Sequence, residues 1–283
     1  MENSVRSDPG ISGRTRLFAV LGDPVEQVRA PHLLNPLFSS LGIDAVLVPV
    51  HAPVGHLGEV VRGLQRARNV DGLLVTVPHK DAVRQFADVH SPAVELAGSS
   101  NALRRGADGL WYAENFDGAG FVAGLEAAGH APTGRRAALV GAGGAGGAIA
   151  AALTIAGVER LEVFDTDARR VQTVVDRMSR YAPGRVAAGT PAGLGAAELV
   201  VNATPMGLRA DDPLPFDPEA LADGAVVADI IMKPRETRLL RAAAARGLPV
   251  HHGHHMLAHQ LEMYLDFFGL RRPALSGITA HGT

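Results

Sequence analysis

At 283 residues, 47% of them hydrophobic and 20% charged, the chain has the balance of a globular protein and the length for two domains. Lys and Arg total 27 against 29 Asp and Glu, a formal net charge of −2, so the sequence offers no concentrated basic surface for a nucleic acid or an anionic membrane. With no cysteine there are no disulfides, no thiol catalysis and no thiolate metal sites, which fits a cytoplasmic location.

Residues 1–16 are polar, carry Glu2, Asp8 and Pro9, and lack the apolar core of a signal peptide. Short apolar runs at 17–21, 45–50 and 72–77 read as buried strands, and 31–41, 54–66 and 80–89 show helical spacing between them. That alternation predicts a parallel α/β sheet, because parallel strands need crossover helices. Residues 101–104 and 110–112 flank Gly106, Asp108 and Gly109 and read as a hairpin.

A second regime begins after Asp117. Phe121, Leu125 and Ala128 share a helical face that Gly129 and Pro132 end. Strands follow at 137–140, 161–164, 199–201 and 226–230, with a short one beginning at Val250. Helices fall at 168–181, 237–246 and 256–268. The stretch 139–157 is rich in glycine and alanine, which suits a strand, loop and helix better than a membrane span. The expected fold is α/β with two domains. Residues 16–116 form a substrate-binding and catalytic domain, completed by C-terminal helices over 254–283, and 117–253 form a doubly wound Rossmann domain that binds NAD(P).

Gly141, Gly143 and Gly146 set out G-x-G-x-x-G directly after a strand and at the opening of a helix. The first glycine allows the tight turn, the second lets backbone approach a pyrophosphate, and the third lets helix and strand pack closely. Gly144 and Ala145 begin the helix, whose amides and dipole favour phosphate. Without its βαβ context the same motif would mark only a tight turn. Asp165 ends the next strand, 19 positions after Gly146, where an acid accepts hydrogen bonds from a ribose. With Asp167 close by it would repel a 2′-phosphate. Arg169 and Arg170 come later and read as a solvated helix face, so NAD is expected over NADP.

Lys80 follows the buried strand in Val75-Thr76-Val77-Pro78-His79-Lys80, at the sheet edge that faces a cleft. On its own it could equally be a solvated lysine in a first helical turn. Asp117, in Asn115-Phe116-Asp117-Gly118 at the junction of the two regimes, reads on its own as a helix N-cap.

These segments and five others give the chain a resemblance to the shikimate/quinate dehydrogenase family, in order from about residue 18 to 269. The others are Gly22-Asp23-Pro24-Val25, Gly98-Ser99-Ser100-Asn101, the glycine loop, Asn202-Ala203-Thr204-Pro205-Met206-Gly207, and Met256-Leu257 with Gln260. Each is short, and together at the family's spacing they are specific. The resemblance implies hydride transfer between a nicotinamide cofactor and a secondary alcohol or ketone of a small cyclic compound. Lys80 and Asp117 would form the catalytic dyad, and Thr76, Asn101 and Gln260 would contact substrate. Thr204, Met206, Gly207 and Gly253 would lie at the cofactor. Chemically, a lysine beside a carboxylate can hold a hydroxyl and relay its proton as hydride leaves carbon.

The departures from the family fall in the expected pocket. Val28 and Ala30 stand where the family carries two serines that hold the shikimate carboxylate. Leu74 replaces a substrate-binding asparagine, and Phe116 replaces the threonine before the catalytic aspartate. Losing charge-assisted hydrogen bonds of roughly 1.5–3 kcal/mol each predicts poor binding of ordinary shikimate. The expected substrate has fewer polar groups at that end, or a displaced carboxylate. Arg29 is not expected to replace the lost donors.

His251, His252, His254, His255 and His259 look like metal ligands, but no carboxylate completes H-E-x-x-H and Gly253 interrupts the run, so no functional metal is expected. Two other readings compete. One is a catalytically silent nucleotide- or metabolite-binding regulator, against which both dyad residues stand. The other is a true shikimate or quinate dehydrogenase with an unusual anchor. The expected partner is a small-molecule substrate, and the chain is expected to be a monomer or homodimer.

Overall fold

The computed structural model describes residues 10–270, so 271–283 of the expected C-terminal segment lie outside the described residues. The first sheet opens with β1 (Arg16–Gly22), whose last five residues are buried. Then come α1 (Ala30–Ser40), β2 (Ala45–His51), α2 (Leu57–Arg66), β3 (Val70–Val75), α3 (Lys80–Val83), β4 (Val89–His90), α4 (Pro92–Ala97), β5 (Ala102–Arg105) and β6 (Trp111–Glu114). Strand order is β2-β1-β3-β5-β6-β4. The expectation of a parallel sheet holds only in part. β1 runs parallel to β2 and β3, whereas β5 runs antiparallel to both β3 and β6, because the hairpin returns the chain without a crossover helix.

After α5 (Phe116–Ala127) the second sheet is built from β7 (Arg136–Val140), α6 (Gly144–Ile155), β8 (Arg160–Phe164), α7 (Ala168–Tyr181), β9 (Val186–Ala188), α8 (Pro191–Ala196), β10 (Leu199–Asn202), β11 (Val226–Asp229), α9 (Arg238–Ala245) and β12 (Val250–His252). All its pairings are parallel, in the order β12-β11-β10-β7-β8-β9. The chain reverses direction between β7 and β10. That switch point is where a doubly wound sheet opens a crevice at its strand carboxyl ends. Side-chain caps start the helices around it: Asp167 accepts from the Arg169 amide and Thr237 from the Leu240 amide.

The last helix, α10 (His254–Phe267), crosses from the second unit back to the first. Its Met256 joins the core between the second sheet and α5 and α6, while Tyr264, Leu265 and the following Phe268 join the core beneath β1, β3 and α1. Gly72 in β3 makes room for this return. A Cβ there would lie 2.4 Å from the Phe268 ring. Among the described residues no helix is long and apolar enough to cross a membrane.

Candidate active site

Asp117 is the second residue of α5 and is not its cap. Asn115 caps the helix, accepting from the Asp117 amide at 3.1 Å, which corrects the capping role read from sequence. The freed carboxylate is buried among donors. Lys80 Nζ donates to Oδ2 at 2.6 Å, Asn101 Nδ2 to Oδ1 at 2.9 Å, and Gln260 Nε2 to Oδ1 at 3.4 Å. Lys80 opens α3, and its side chain is only 18% exposed, so it is no solvated first-turn lysine.

One residue of this network escaped the sequence reading. The Tyr264 hydroxyl donates to Gln260 Oε1 at 2.5 Å and accepts from Asn101 Nδ2 at 3.3 Å. Complete burial pushes its phenol well above the usual tyrosine range, and the Asp117 charge adds to that. With Oε1 occupied by the phenol, the Gln260 amide is fixed with its NH₂ toward Asp117.

The dyad floors a cavity of about 760 Å³. Val28, Ala30, Leu74, Thr76, Asn101 and Gln260, the expected substrate contacts, all line it. Phe116 does not. Its ring packs edge-on against Tyr264 and Phe267, 5.3 Å between centroids in each case, and it lines a neighbouring apolar cavity instead. Its expected contact with substrate is therefore corrected: successive helix residues point about 100° apart, so Asp117 faces the dyad cavity and Phe116 supports Tyr264. Met232, Met256, Leu257, Lys233 and Arg235 also reach the dyad cavity.

The glycine loop lies at the switch point. Gly141 has φ +106°, and a Cβ there would sit 2.7 Å from the Ala203 carbonyl carbon. A Cβ on Gly146 would be 1.9 Å from the Gly141 oxygen, whereas one on Gly143 would meet open space. Gly143 starts α6 without any side-chain cap, and Gly143 and Gly144 line a cavity of about 470 Å³, so uncapped amides of that first turn, Ala145 included, suit a pyrophosphate. Arg169 and Arg170 are exposed on α7, as the sequence reading has them, and also line the same cavity with Arg84 and Arg177.

Asp165 lies beside the loop and holds it. Its carboxylate accepts from the Ala142 amide at 2.8 Å and the Asp167 amide at 2.9 Å. Partial burial pushes the group up, but those amides and nearby Arg170 outweigh it and keep it below the usual carboxylate range. After β10, Asn202 accepts from Thr204 Oγ1 at 2.7 Å and donates to the Met206 carbonyl at 3.1 Å, and buried Asp229 braces Asn202 at 3.2 Å. This sets the turn that carries Met206 and Gly207, while Gly253 begins α10 against the Ile230 carbonyl. Thr204, Met206, Gly207 and Gly253 thus sit at strand carboxyl ends but line neither cavity.

The histidines form a stack. His251 and His255 centroids are 4.9 Å apart, those of His254 and His255 4.0 Å, and His252 pairs with Glu236. Among the described residues no group of three or more His, Cys, Asp or Glu is placed to hold a metal ion.

Residues 20–103 match the family model of the shikimate dehydrogenase substrate binding domain. A shikimate dehydrogenase (NADP(+)) of Rubrobacter xylanophilus is 39% identical over 259 residues, which are 90% of each chain. The chain belongs to the shikimate/quinate dehydrogenase family. It is a nicotinamide-dependent dehydrogenase acting on a CH–OH group, and the reading as a silent regulator finds no support. Shikimate 5-dehydrogenase from Listeria monocytogenes, solved with shikimate and NAD, superposes with a TM-score of 0.86 at 26% identity, covering 93% of this chain and 95% of that one. The ligand-free 5-ketofructose reductase of a Gluconobacter strain superposes with a TM-score of 0.82 at 27% identity, covering 92% and 95%.

Proposed function

We propose that Lys80 and Asp117 are the catalytic dyad of an NAD-preferring dehydrogenase whose substrate is a small cyclic alcohol held differently from shikimate. The observation that carries this is the 2.6 Å Lys80–Asp117 ion pair on the floor of the 760 Å³ cavity, with two side-chain amides aimed at the same carboxylate. Lys80 Nζ donates to the substrate oxygen and relays its proton, while Asp117 fixes the ammonium and balances its charge. Asn101, whose amide is taken up by Asp117, Tyr264 and the Phe116 amide, holds Asp117 in register together with Gln260, and the second Nε2 hydrogen of Gln260 is left for a ring hydroxyl. Residues 16–116 with α10 form the substrate-binding unit and 117–253 the dinucleotide unit. Gly143, Gly144 and Ala145 hold the pyrophosphate, Asp165 meets the adenosine ribose, and Thr204, Met206, Gly207 and Gly253 flank the nicotinamide. The cofactor supplies hydride acceptance and donation.

Support for NAD comes from Asp165, an ionised carboxylate that would face a 2′-phosphate. Arg169 and Arg170 line the adjoining cavity and temper that repulsion, and the Rubrobacter relative is named for NADP(+). Support for an altered substrate comes from Val28, Ala30 and Leu74, apolar on the cavity wall, and from the likeness to a reductase named for 5-ketofructose, a sugar without a carboxylate.

Initial rates with shikimate and quinate, each with NAD⁺ and NADP⁺, test both halves. Expected are kcat/KM at least tenfold higher with NAD⁺, slow turnover of both acids, and a loss of 10²–10⁴ in kcat in Lys80→Ala, about the worth of one general acid–base group. Brisk NADP⁺-dependent turnover of shikimate would sink the cofactor and substrate arguments together.

A further inference from the structure

The turn that carries Lys80 serves two cavities. Lys80 lines the dyad cavity, whereas Asp81 and Arg84 line the 470 Å³ cavity at the glycine loop. Asp81 and Arg84 are three residues apart, where α3 passes into the 3₁₀ turn over Arg84–Phe86, so their side chains leave on one face. Both belong to the first unit, and the loop they face belongs to the second. Asp81 is exposed and Arg84 half-buried, and no hydrogen bond or ion pair engages either side chain among the described residues. Two other arginines of the lining are already engaged: Arg177 donates to the Ala97 carbonyl, and Arg170 lies 3.8 Å from Asp167.

Asp81 is the one carboxylate among the residues lining this cavity. Its Oδ1 lies 3.7 Å from where a Cβ on Gly144 would be, and Gly144 is the first residue of α6. The amides and dipole of that helix end draw negative charge, yet no side chain caps it, Asp81 included. Asp81 therefore stands beside the place a pyrophosphate would take without satisfying the amides itself.

We propose that Asp81 and Arg84 set dinucleotide affinity from the first unit with opposite signs: Arg84 draws the cofactor's phosphates across the cleft, and Asp81 repels them from the α6 amides. The inference rests on the dinucleotide site placed at the glycine loop and adds two residues to it. A pyrophosphate at α6 meets the Asp81 charge at close range, and Arg84 supplies the compensating cation from the same turn. A dinucleotide that exchanges at each turnover must also leave, and a fixed carboxylate beside its phosphates favours release.

The opposite signs make the test sharp. Dissociation constants are measured by calorimetry for NADH and for ADP, which keeps a diphosphate and lacks the nicotinamide, on the native protein and on Asp81→Asn, Arg84→Gln and Arg84→Lys. One unit charge a few ångströms from a pyrophosphate is worth about threefold or more in affinity. Asp81→Asn should bind both ligands more tightly by at least that factor, and Arg84→Gln more weakly by the same. Arg84→Lys keeps the charge and should stay within about twofold of native. Salt at about 0.5 M should shrink every difference. Cofactor-free Asp81→Asn should melt no higher than the native protein, since it gives up a charge that suits the α6 end, yet saturating NADH should raise its melting temperature by more. A merely structural role would weaken binding in both variants. Weaker binding by Asp81→Asn, unchanged affinity in either variant, or differences that survive high salt would each overturn the proposal. Native protein that binds neither NADH nor ADP would instead overturn the placing of the dinucleotide at the glycine loop.

Discussion

Tyr264 shows how one side chain can govern a site whose other members are plain from sequence. Lys80, Asn101, Asp117 and Gln260 stand in recognisable short motifs, but nothing in the pattern around Tyr264 separates it from the core aromatics that follow it, Phe267 and Phe268. Only tertiary packing brings its hydroxyl to Gln260 Oε1. Tyr264→Phe leaves the ring's contacts with Phe116 in place and removes the group that fixes the Gln260 amide. A neutral hydrogen bond of about 0.5–1.5 kcal/mol predicts a two- to tenfold fall in kcat, with NADH affinity unchanged. Steady-state kinetics alongside NADH titration check this, and a full-speed variant would reduce Tyr264 to a packing residue. Gly146→Ala should be far more damaging. Its Cβ would fall 1.9 Å from the Gly141 oxygen, so the loop must open, and NADH titration should report at least a hundredfold loss of affinity.

At the scale of elements, legibility tracks length and pattern. The helix expected at 168–181 is found with those limits, and the long apolar strands fall within a residue or two of expectation. β4 and β9, with two and three residues, and α4 and α8, with six each, are too short to establish a period and do not stand out in the sequence. The expected 80–89 helix stops early, because α3 gives way to a 3₁₀ turn over Arg84–Phe86 before β4 begins. The histidine run was legible as a cluster but not in its role. His251 packs against Phe121 and His255, its Nε2 is buried with no hydrogen-bond partner among the described residues, and burial followed by the charges of His255, His130, His252 and His254 lowers its pKa to about 4. His254 and His255 are lowered too, first by burial, with Arg235 adding to the repulsion in each. Glu236 offers the cluster a carboxylate, and it is engaged with His252.

The sign follows from linkage. Unfolded His251 takes up its proton near pH 6.5 and the folded residue only near 4, so the unfolded state binds more protons throughout that window. Stability is full above about pH 6.5 and falls as pH drops toward 4. At about 1.36 kcal/mol per unit, the loss approaches 3 kcal/mol from His251 alone. Urea unfolding between pH 4 and 7.5 should show that slope, and His251→Phe should flatten it. An unchanged slope in the variant would acquit the cluster. Because α10 carries Met256 and Gln260 to the dyad cavity, turnover should fall over the same window.

Across the whole molecule, the order of strands and glycine loop announced a doubly wound second unit. The hairpin of the first sheet is legible locally, but its antiparallel pairing with β3 is set by packing within that sheet, and the cations gathered at the cleft depend on how the units meet, which no local pattern encodes. Arg177 marks that meeting. It projects from α7 in the second unit and donates to the Ala97 carbonyl at the end of α4 in the first, at 2.8 Å. Its guanidinium fills the space over Gly98, where a Cβ would lie 2.1 Å away, and α4 ends there because Gly98 takes φ +70°. The same residues line the 470 Å³ cavity beside Gly143 and Gly144, so this clasp sets the spacing of the two walls between which the dinucleotide is expected to lie. Arg177→Ala removes a charge-assisted bond to a helix carboxyl end, worth about 1.5–3 kcal/mol, without touching the dyad. The expected signature is a roughly tenfold rise in KM for the dinucleotide, kcat within about twofold of native, and a lower melting temperature that saturating NADH largely restores by mass action. Gly98→Ala should reproduce the signature from the opposite wall by expelling the same guanidinium. If Arg177→Ala lowers kcat and leaves KM unchanged, the clasp governs the alignment of the two units over the dyad and not the width of the cofactor cleft.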